Sequence, residues 1–132
     1  MKMLQAIPAL PVRDMDQSVE FYRGKLGFTL VHKEAGFAIL QHDEVEIHLW
    51  AATDESWRTR GDSAPVISGA ESFIAGTASC RVRIKDVDAL NRTLEVLGIL
   101  HPNGQLSETW YGTREFGVLD PDNNLITFFE GK

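Results

Sequence analysis

Short runs of alternating hydrophobic and polar residues occur along this chain, together with two segments that have helical spacing. Alternation with a period of two is typical of strands, and it predicts seven of them, at residues 7–12, 28–33, 37–41, 45–50, 80–84, 116–119 and 125–129. Apolar residues recur every three or four positions after Asp14 and again after Asp86, which predicts two amphipathic helices. Each aspartate has the position of an N-cap, and a Leu-Gly pair ends each helical pattern.

The second half of the chain repeats the first. The segment from Val12 to Asp16 returns 72 residues later as Ile84 to Asp88, and the segment from Phe37 to Leu40 is echoed by 116–119 at an offset of 79. Each half has a strand, a helix and two or three antiparallel strands. We therefore expect an α+β fold of two tandem βαβββ modules related by a pseudo-twofold axis. Axes of this kind often carry a ligand.

The two modules are expected at about residues 3–52 and 78–130 of a single domain, residues 1–132. The segment between them, at about 53–77, is rich in Ser, Gly, Thr, Asp and Arg. Unstructured loops of this length are uncommon in compact domains. We interpret the segment as a mobile linker, with a flap over a functional site as the alternative.

Composition narrows the class of partner. The 132 residues are 43% hydrophobic, which suits a packed core, and the formal net charge of −6 argues against a nucleic acid partner and is compatible with a cationic ligand. The amino-terminal residues are too few and too interrupted by polar positions to predict a secretion signal or a membrane span. With Cys80 as the single cysteine, no intramolecular disulfide can form. We expect a cytoplasmic protein without a membrane partner.

The strand predicted at 45–50 places polar and aromatic side chains on one face of its sheet. Alternation places Ile47 and Leu49 beneath the helices and sends Glu46, His48 and Trp50 to the concave side. His48 is interpreted either as a structural residue or as part of a site. Glu46 and His48 together could supply two metal donors, but the repeat offers no matching partners. By the same alternation Arg81 and Arg83 point toward the groove or a dimer seam, and we assign them no role.

Several motifs in order and at matching spacing resemble the vicinal oxygen chelate superfamily, which includes glyoxalases, extradiol dioxygenases, fosfomycin resistance enzymes and bleomycin resistance proteins. The resemblance covers residues 7–129 apart from the linker, and it is greatest to the bleomycin resistance proteins. The motifs are Pro8 before Arg13-Asp14, Glu20-Phe21-Tyr22 with Leu26-Gly27-Phe28, Ala35-Gly36-Phe37, Ser79-Cys80, and Gly112-Thr113-Arg114-Glu115-Phe116 running into Asp120-Pro121-Asp122.

The resemblance also tells where a metal would bind. Metal-dependent members hold the ion with His, Gln or Glu at four repeat-related positions, which correspond here to Ile7, His48, Ser79 and Thr127. Only His48 is a good ligand, Ile7 cannot coordinate a metal, and neutral hydroxyls are poor donors. We therefore expect no metal, no other cofactor and no catalytic residue.

Aromatic residues are the other candidate chemistry of the concave side. In the bleomycin resistance proteins, as the resemblance implies, the drug lies in a groove between two subunits, with its bithiazole stacked between rings and its cationic tail on acidic surface. Phe37 matches one stacking ring, and Tyr111 stands where the family usually has Trp, with Trp110 adjacent, so either ring could serve. The full set of expected ligand-binding residues is Phe37, Glu46, His48, Trp50, Trp110, Tyr111 and Arg114.

Pro8 bears on the oligomeric state. The corresponding proline of the family belongs to an amino-terminal strand that is exchanged between subunits. The resemblance therefore implies a strand-swapped homodimer in which residues 4–12 cross to the partner. The alternative is an ordinary edge strand.

Two functions from different classes fit these observations. The first is an antibiotic-binding protein that sequesters bleomycin-type drugs, cationic molecules with a planar heteroaromatic group, at about one drug per subunit. The second is a metal-dependent lyase, isomerase or thiol transferase of the glyoxalase type. The first predicts that copper-loaded bleomycin quenches Trp50, Trp57 or Trp110 without forming a product, and the second predicts a divalent ion and a rate that a chelator abolishes. A module that binds another planar metabolite is a weaker third hypothesis.

Overall fold

The computed structural model describes residues 1–52, 59 and 78–131, so most of the predicted linker and Trp57 lie outside the described residues. The elements of the first half are β1 (Ala9–Val12), α1 (Met15–Gly24), β2 (Thr29–Glu34), β3 (Phe37–His42) and β4 (Val45–Ala51). Those of the second half are β5 (Ser79–Arg83), α2 (Val87–Glu95), β6 (Ser107–Glu108), β7 (Thr113–Leu119) and β8 (Leu125–Gly131). The α+β fold of two βαβββ modules is confirmed.

Each module forms a four-stranded sheet, with strand orders β1-β4-β3-β2 and β5-β8-β7-β6. The first strand of each module pairs in parallel with the last, which sets Ala9 opposite His48 and Arg81 opposite Thr127. Ala9 and Arg81 are 72 residues apart along the chain, and His48 and Thr127 are 79 residues apart. The repeat read from the sequence is therefore confirmed for these strands.

The expected match between Phe37 and Phe116 is wrong by one residue. Phe37 lies opposite Trp50, whereas Glu115 lies opposite Phe129, so β3 and β7 are related by an offset of 78. The additional residue is in the turn at 120–124: the paired residues His42 and Val45 enclose two residues, whereas their equivalents Asp120 and Asn124 enclose three. Because a slip of one residue reverses the faces of a strand, Phe116 is buried beside the helix and Glu115 takes the place of Phe37 on the opposite face.

Both helices begin as their sequences predict. Asp14 accepts a hydrogen bond from the backbone N–H of Gln17 at 3.0 Å, and Asp86 accepts one from Ala89 at 3.2 Å. These caps satisfy backbone donors that have no partner within the helix. The helices pack on one face of each sheet, and the apolar residues between them form one hydrophobic cluster that contains both modules.

Hydrogen bonds close the modules against each other along one side, which we call the closed seam. The Tyr22 hydroxyl donates to Asp120 Oδ2 at 2.9 Å, and the Asn124 amide donates to the backbone carbonyl of Pro11 at 2.9 Å. Asp122 Oδ2 accepts from the Ser18 hydroxyl at 3.4 Å. Tyr22 and Asp120 are 0% and 4% exposed, and burial together with the neighbouring Asp120 raises the pKa of Tyr22.

The expected exchange of residues 4–12 between two subunits stays a prediction. Residues Ala9–Val12 pair with β4 of their own chain, and Leu10 and Val12 are buried in their own core. Within one chain β1 is therefore an edge strand of its own sheet, and in an exchanged dimer the same strand of the partner would take this place. Pro8 precedes it, and its carbonyl accepts a hydrogen bond from His48 N at 3.0 Å. Residues 1–6 are exposed.

Candidate functional site

Three rings meet on the face of the first sheet that is turned away from α1. The pairing of Phe37 with Trp50 across β3 and β4 brings their ring centroids to 5.1 Å, and the rings of Phe37 and His48 are 5.0 Å apart, both with edge-to-face geometry. Trp50 is 45% exposed. With Glu46 these residues form what we call the aromatic face. A ring in such a group can present its flat side to a planar ligand.

Glu46 brings a carboxylate to the aromatic face. Its Oε2 lies 2.6 Å from Nε2 of His48, and both side chains are about one quarter exposed or less. The alternation predicted for β4 is confirmed, because Ile47 and Leu49 are fully buried on the helix side. The face therefore offers aromatic surface and one acidic group, which suits a flat cationic ligand.

The equivalent face of the second sheet is polar. Glu115 accepts hydrogen bonds from Arg81 Nη2 at 2.8 Å, from the Thr113 hydroxyl at 2.9 Å and from the Tyr111 hydroxyl at 3.2 Å. The hydrogen bond from Arg81 holds the pKa of Glu115 below its ordinary value. The guanidinium of Arg81 also lies 4.5 Å from the ring centroid of Phe129. We call Arg81, Tyr111, Thr113 and Glu115 the Glu115 cluster.

A cavity of about 220 Å³ adjoins the Glu115 cluster. Its polar lining includes His101, Ser107, Glu115 and Thr127. Gly117 forms part of its wall, and a Cβ at this position would lie 3.0 Å from the side chain of Leu125. A side chain at 117 would therefore displace Leu125, another residue of the lining.

Trp110 and Tyr111 differ in what holds them. Tyr111 is tied to Glu115 through its hydroxyl, and its ring packs edge-to-face on Trp110 with the centroids 5.3 Å apart. Trp110 is 95% exposed. The sequence left open which ring is available to a ligand, and Trp110 presents the larger exposed surface.

Arg114 lies away from both of these faces. It projects to the helix side of β7, where its Nη2 and Nε donate to Asp88 of α2 at 2.7 and 3.0 Å. These hydrogen bonds raise the pKa of Arg114 and lower that of Asp88. Arg114 alternates with Glu115 along β7, so the structure does not bring it to the face on which a ligand was expected. The residues on that face are Glu115, Arg81 and Phe129. The position of Glu115 could have been predicted only from the register of β7.

The four positions of the family metal site contain one imidazole, and Ile7 lies before the first strand. Within residues 1–52, 59 and 78–131, no group of three or more His, Cys, Asp or Glu side chains could hold a metal ion. In the same residues no helix is long and apolar enough to cross a membrane.

Known proteins share this architecture and sequence. A sequence model of the Glyoxalase/Bleomycin resistance protein/Dioxygenase superfamily matches residues 5–128. A bleomycin resistance protein of Geobacillus stearothermophilus is 59% identical over 128 residues, which are 97% of each chain.

Solved structures show the same fold. The bleomycin-binding protein of bleomycin-producing Streptomyces verticillus, complexed with copper(II)-bleomycin, matches with a TM-score of 0.74 at 23% identity, over 100% of this chain and 99% of that one. A bleomycin resistance determinant encoded on the transposon Tn5 matches with a TM-score of 0.72 at 24% identity, over 98% and 99% of the two chains. The chain therefore belongs to the glyoxalase/bleomycin resistance protein/dioxygenase superfamily.

Proposed function

We propose that this protein confers resistance by binding bleomycin-type drugs stoichiometrically on the aromatic face, without chemical change to the drug. The observation that carries the proposal is the group of Phe37, His48 and Trp50 on one sheet face, where the ring centroids of His48 and Trp50 lie 5.0 and 5.1 Å from that of Phe37. The relative at 59% identity is named for the same resistance. Confinement of the drug is sufficient to keep it from DNA.

The bithiazole of bleomycin is planar, and its tail is cationic. Stacking on Phe37 and Trp50 would bury both ring systems, with a gain of about 0.5–1.5 kcal/mol per ring pair beyond the burial of area. The Glu46 carboxylate lies at the same face and attracts the cationic tail. His48 packs against Phe37 and acts here as a wall of the site.

A second copy of the chain completes each groove in this proposal. An open sheet face covers only one side of a flat ligand. The ring of Trp110 is 95% exposed and can cover the second side. In a homodimer, Trp110 of one copy stacks on the drug that lies on the aromatic face of the other. Residues 1–6 are exposed in one copy, and residues 4–12, with Pro8 as a stiff part, are the arm that crosses to the other.

We infer that binding takes place in the cytoplasm. A net charge of −6 and a single cysteine suit a reducing compartment and a cationic ligand. The same charge disfavours a nucleic acid partner.

Tryptophan fluorescence tests the binding proposal. Titration with copper-loaded bleomycin should quench the emission with an end point at one drug per chain. Phe37→Ala should weaken binding about tenfold or more. Arg114→Ala is the matched control, because Arg114 lies on the helix side, and it should change the Kd less than twofold. Equal effects of the two substitutions would contradict the site.

Mixed dimers test whether the groove is shared. If Phe37 and Trp110 of different copies contact one drug, Phe37→Ala and Trp110→Ala each damage both grooves of a homodimer. A heterodimer of the two variants then contains one intact groove and one with both defects. Random mixing makes half of the dimers heterodimers, so about one quarter of the high-affinity sites should return, and their failure to return would overturn the shared groove.

A further inference from the structure

We propose that a second site, between the two modules on the side opposite the closed seam, binds a free amphipathic carboxylate, an apolar chain with one anionic head. The site is a cavity of about 560 Å³ between the β3–β4 turn and the residues that lead from β5 to α2. We call this cavity the open seam. The proposal goes beyond drug binding and does not depend on it.

The internal repeat shows why this side is open. The side chains that donate hydrogen bonds across the closed seam are Ser18, Tyr22 and Asn124. Their equivalents at offsets of 72 and 79 are Leu90, Leu94 and Val45. None of these three side chains can donate or accept a hydrogen bond. The second seam therefore lacks the polar closure of the first.

The floor of the open seam is apolar and comes from both modules. Leu26 and Phe28 of the first module meet Val82 and Phe128 of the second, and all four are less than 9% exposed. A hydrocarbon chain laid along this floor would cover it and lose its own contact with water. The volume lies within the range of about 300–1,000 Å³ that is usual for small-molecule pockets.

The two walls carry opposite charges. Arg83 and Lys85 line the wall of the second module, and Asp43 and Glu44 line the turn of the first. Within the described part of the chain, Lys85 has no hydrogen-bond or ion-pair partner, whereas Asp43 lies 3.6 Å from His42 Nε2. The guanidinium of Arg83 lies over the ring of Phe129, on the other face of β5 from Val82. A carboxylate head is therefore attracted to Lys85 and repelled by the turn, and the charges fix its direction.

Lys85 is the residue on which an anionic head depends most directly. Its aliphatic stem can lie on the apolar floor while the ammonium group reaches the head. In the closed seam the same position is Arg13, whose backbone N–H donates to Asp122 at 3.3 Å. The repeat places Asp43 where Asp122 lies in the closed seam. Among the described residues Asp43 lies against His42 and not against Lys85, so the ammonium group of Lys85 is available to a carboxylate from outside.

Calorimetric titration with sodium decanoate, below its micelle-forming concentration, tests the proposal. We expect saturable binding of one decanoate per chain and at least tenfold weaker binding of decyltrimethylammonium, which has the same chain and the opposite charge. Lys85→Glu should weaken decanoate binding about tenfold or more, because a hydrogen bond to a charged group is lost and a repulsion is added. Lys2→Glu, at an exposed terminus, makes the same change in net charge and should have less than a twofold effect.

Further measurements keep the outcomes separate. Thermal unfolding of Lys85→Glu checks that the variant folds, and Lys85→Met repeats the test without a new negative charge. Decanoate should bind equally well when the protein is saturated with bleomycin. Displacement by bleomycin, equal binding of the two head groups, or unchanged binding by both Lys85 variants would each overturn the proposal. If bleomycin does not bind at all, the drug site fails and the decanoate result still stands.

Discussion

Replacing Tyr22 by Phe removes one hydroxyl from the closed seam and changes nothing else in the shape of the side chain. The hydroxyl donates to Asp120 Oδ2 at 2.9 Å, and both residues are buried. Asp120 retains three other donors, the backbone N–H groups of Asp122 and Asn124 and the side-chain amide of Asn124. Its charge therefore stays partly satisfied.

A hydrogen bond to a charged group contributes about 1.5–3 kcal/mol. The three remaining donors place the expected loss for Tyr22→Phe in the lower half of that range, about 1.5–2 kcal/mol. For a chain of 132 residues this corresponds to a fall in Tm of about 5 to 8 °C.

Differential scanning calorimetry at one fixed protein concentration measures the change, since Tm of an oligomer depends on concentration. Tyr111→Phe is the matched control. It deletes a hydroxyl that also donates to a carboxylate, at 3.2 Å from Glu115, but on a side chain that is 52% exposed. Its Tm should fall by less than about 2 °C. If both variants unfold at the same temperature, the Tyr22 hydroxyl does not stabilise the seam.

Three further outcomes follow from the same contacts. In competition with DNA cleavage, Phe37→Ala should require about tenfold more protein to protect DNA from bleomycin than the wild type, because one stacking ring is lost; equal protection would contradict the aromatic face. The pKa of Glu115 is lowered mainly by Arg81, so their ion pair stabilises the fold above the ordinary pKa of Glu and is lost as the pH falls below about 4.5. In urea unfolding, Arg81→Met should therefore lose less stability on acidification than the wild type. Parallel pH profiles of the two proteins would refute this. Burial raises the pKa of Cys80 to about 11, so at pH 8 a disulfide reagent should modify the native thiol about 100-fold more slowly than the unfolded one; similar rates would show that Cys80 is open to solvent.

Local pattern was sufficient to predict the elements that bury one face. The alternation along β4 predicted that Glu46, His48 and Trp50 lie opposite the core, because a half-buried strand must send every second side chain inward. The N-caps at Asp14 and Asp86 were equally visible, since capping depends on residues only three positions apart. These features fix the aromatic face.

What the sequence could not show depends on register and on distant contacts. One additional residue in the turn at 120–124 exchanges the faces of β7, so Arg114 meets Asp88 and Glu115 meets Arg81. The offset of 79 that aligned Phe37 with Phe116 came from matching residue types along the sequence. The strand pairing, which gives an offset of 78, is visible only in the structure. The bond between Tyr22 and Asp120 joins residues 98 positions apart, and no local pattern indicates such a contact.

The central claim is that the protein holds a planar drug and does not transform it. The most direct measurement is mass spectrometry of bleomycin recovered after long incubation with an equimolar amount of protein, with calorimetry on the same sample. We expect one drug bound per chain, an unchanged drug mass, and full DNA-cleaving activity of the drug once the protein is denatured. A drug of altered mass, formed at a rate that a chelator abolishes, would contradict the account.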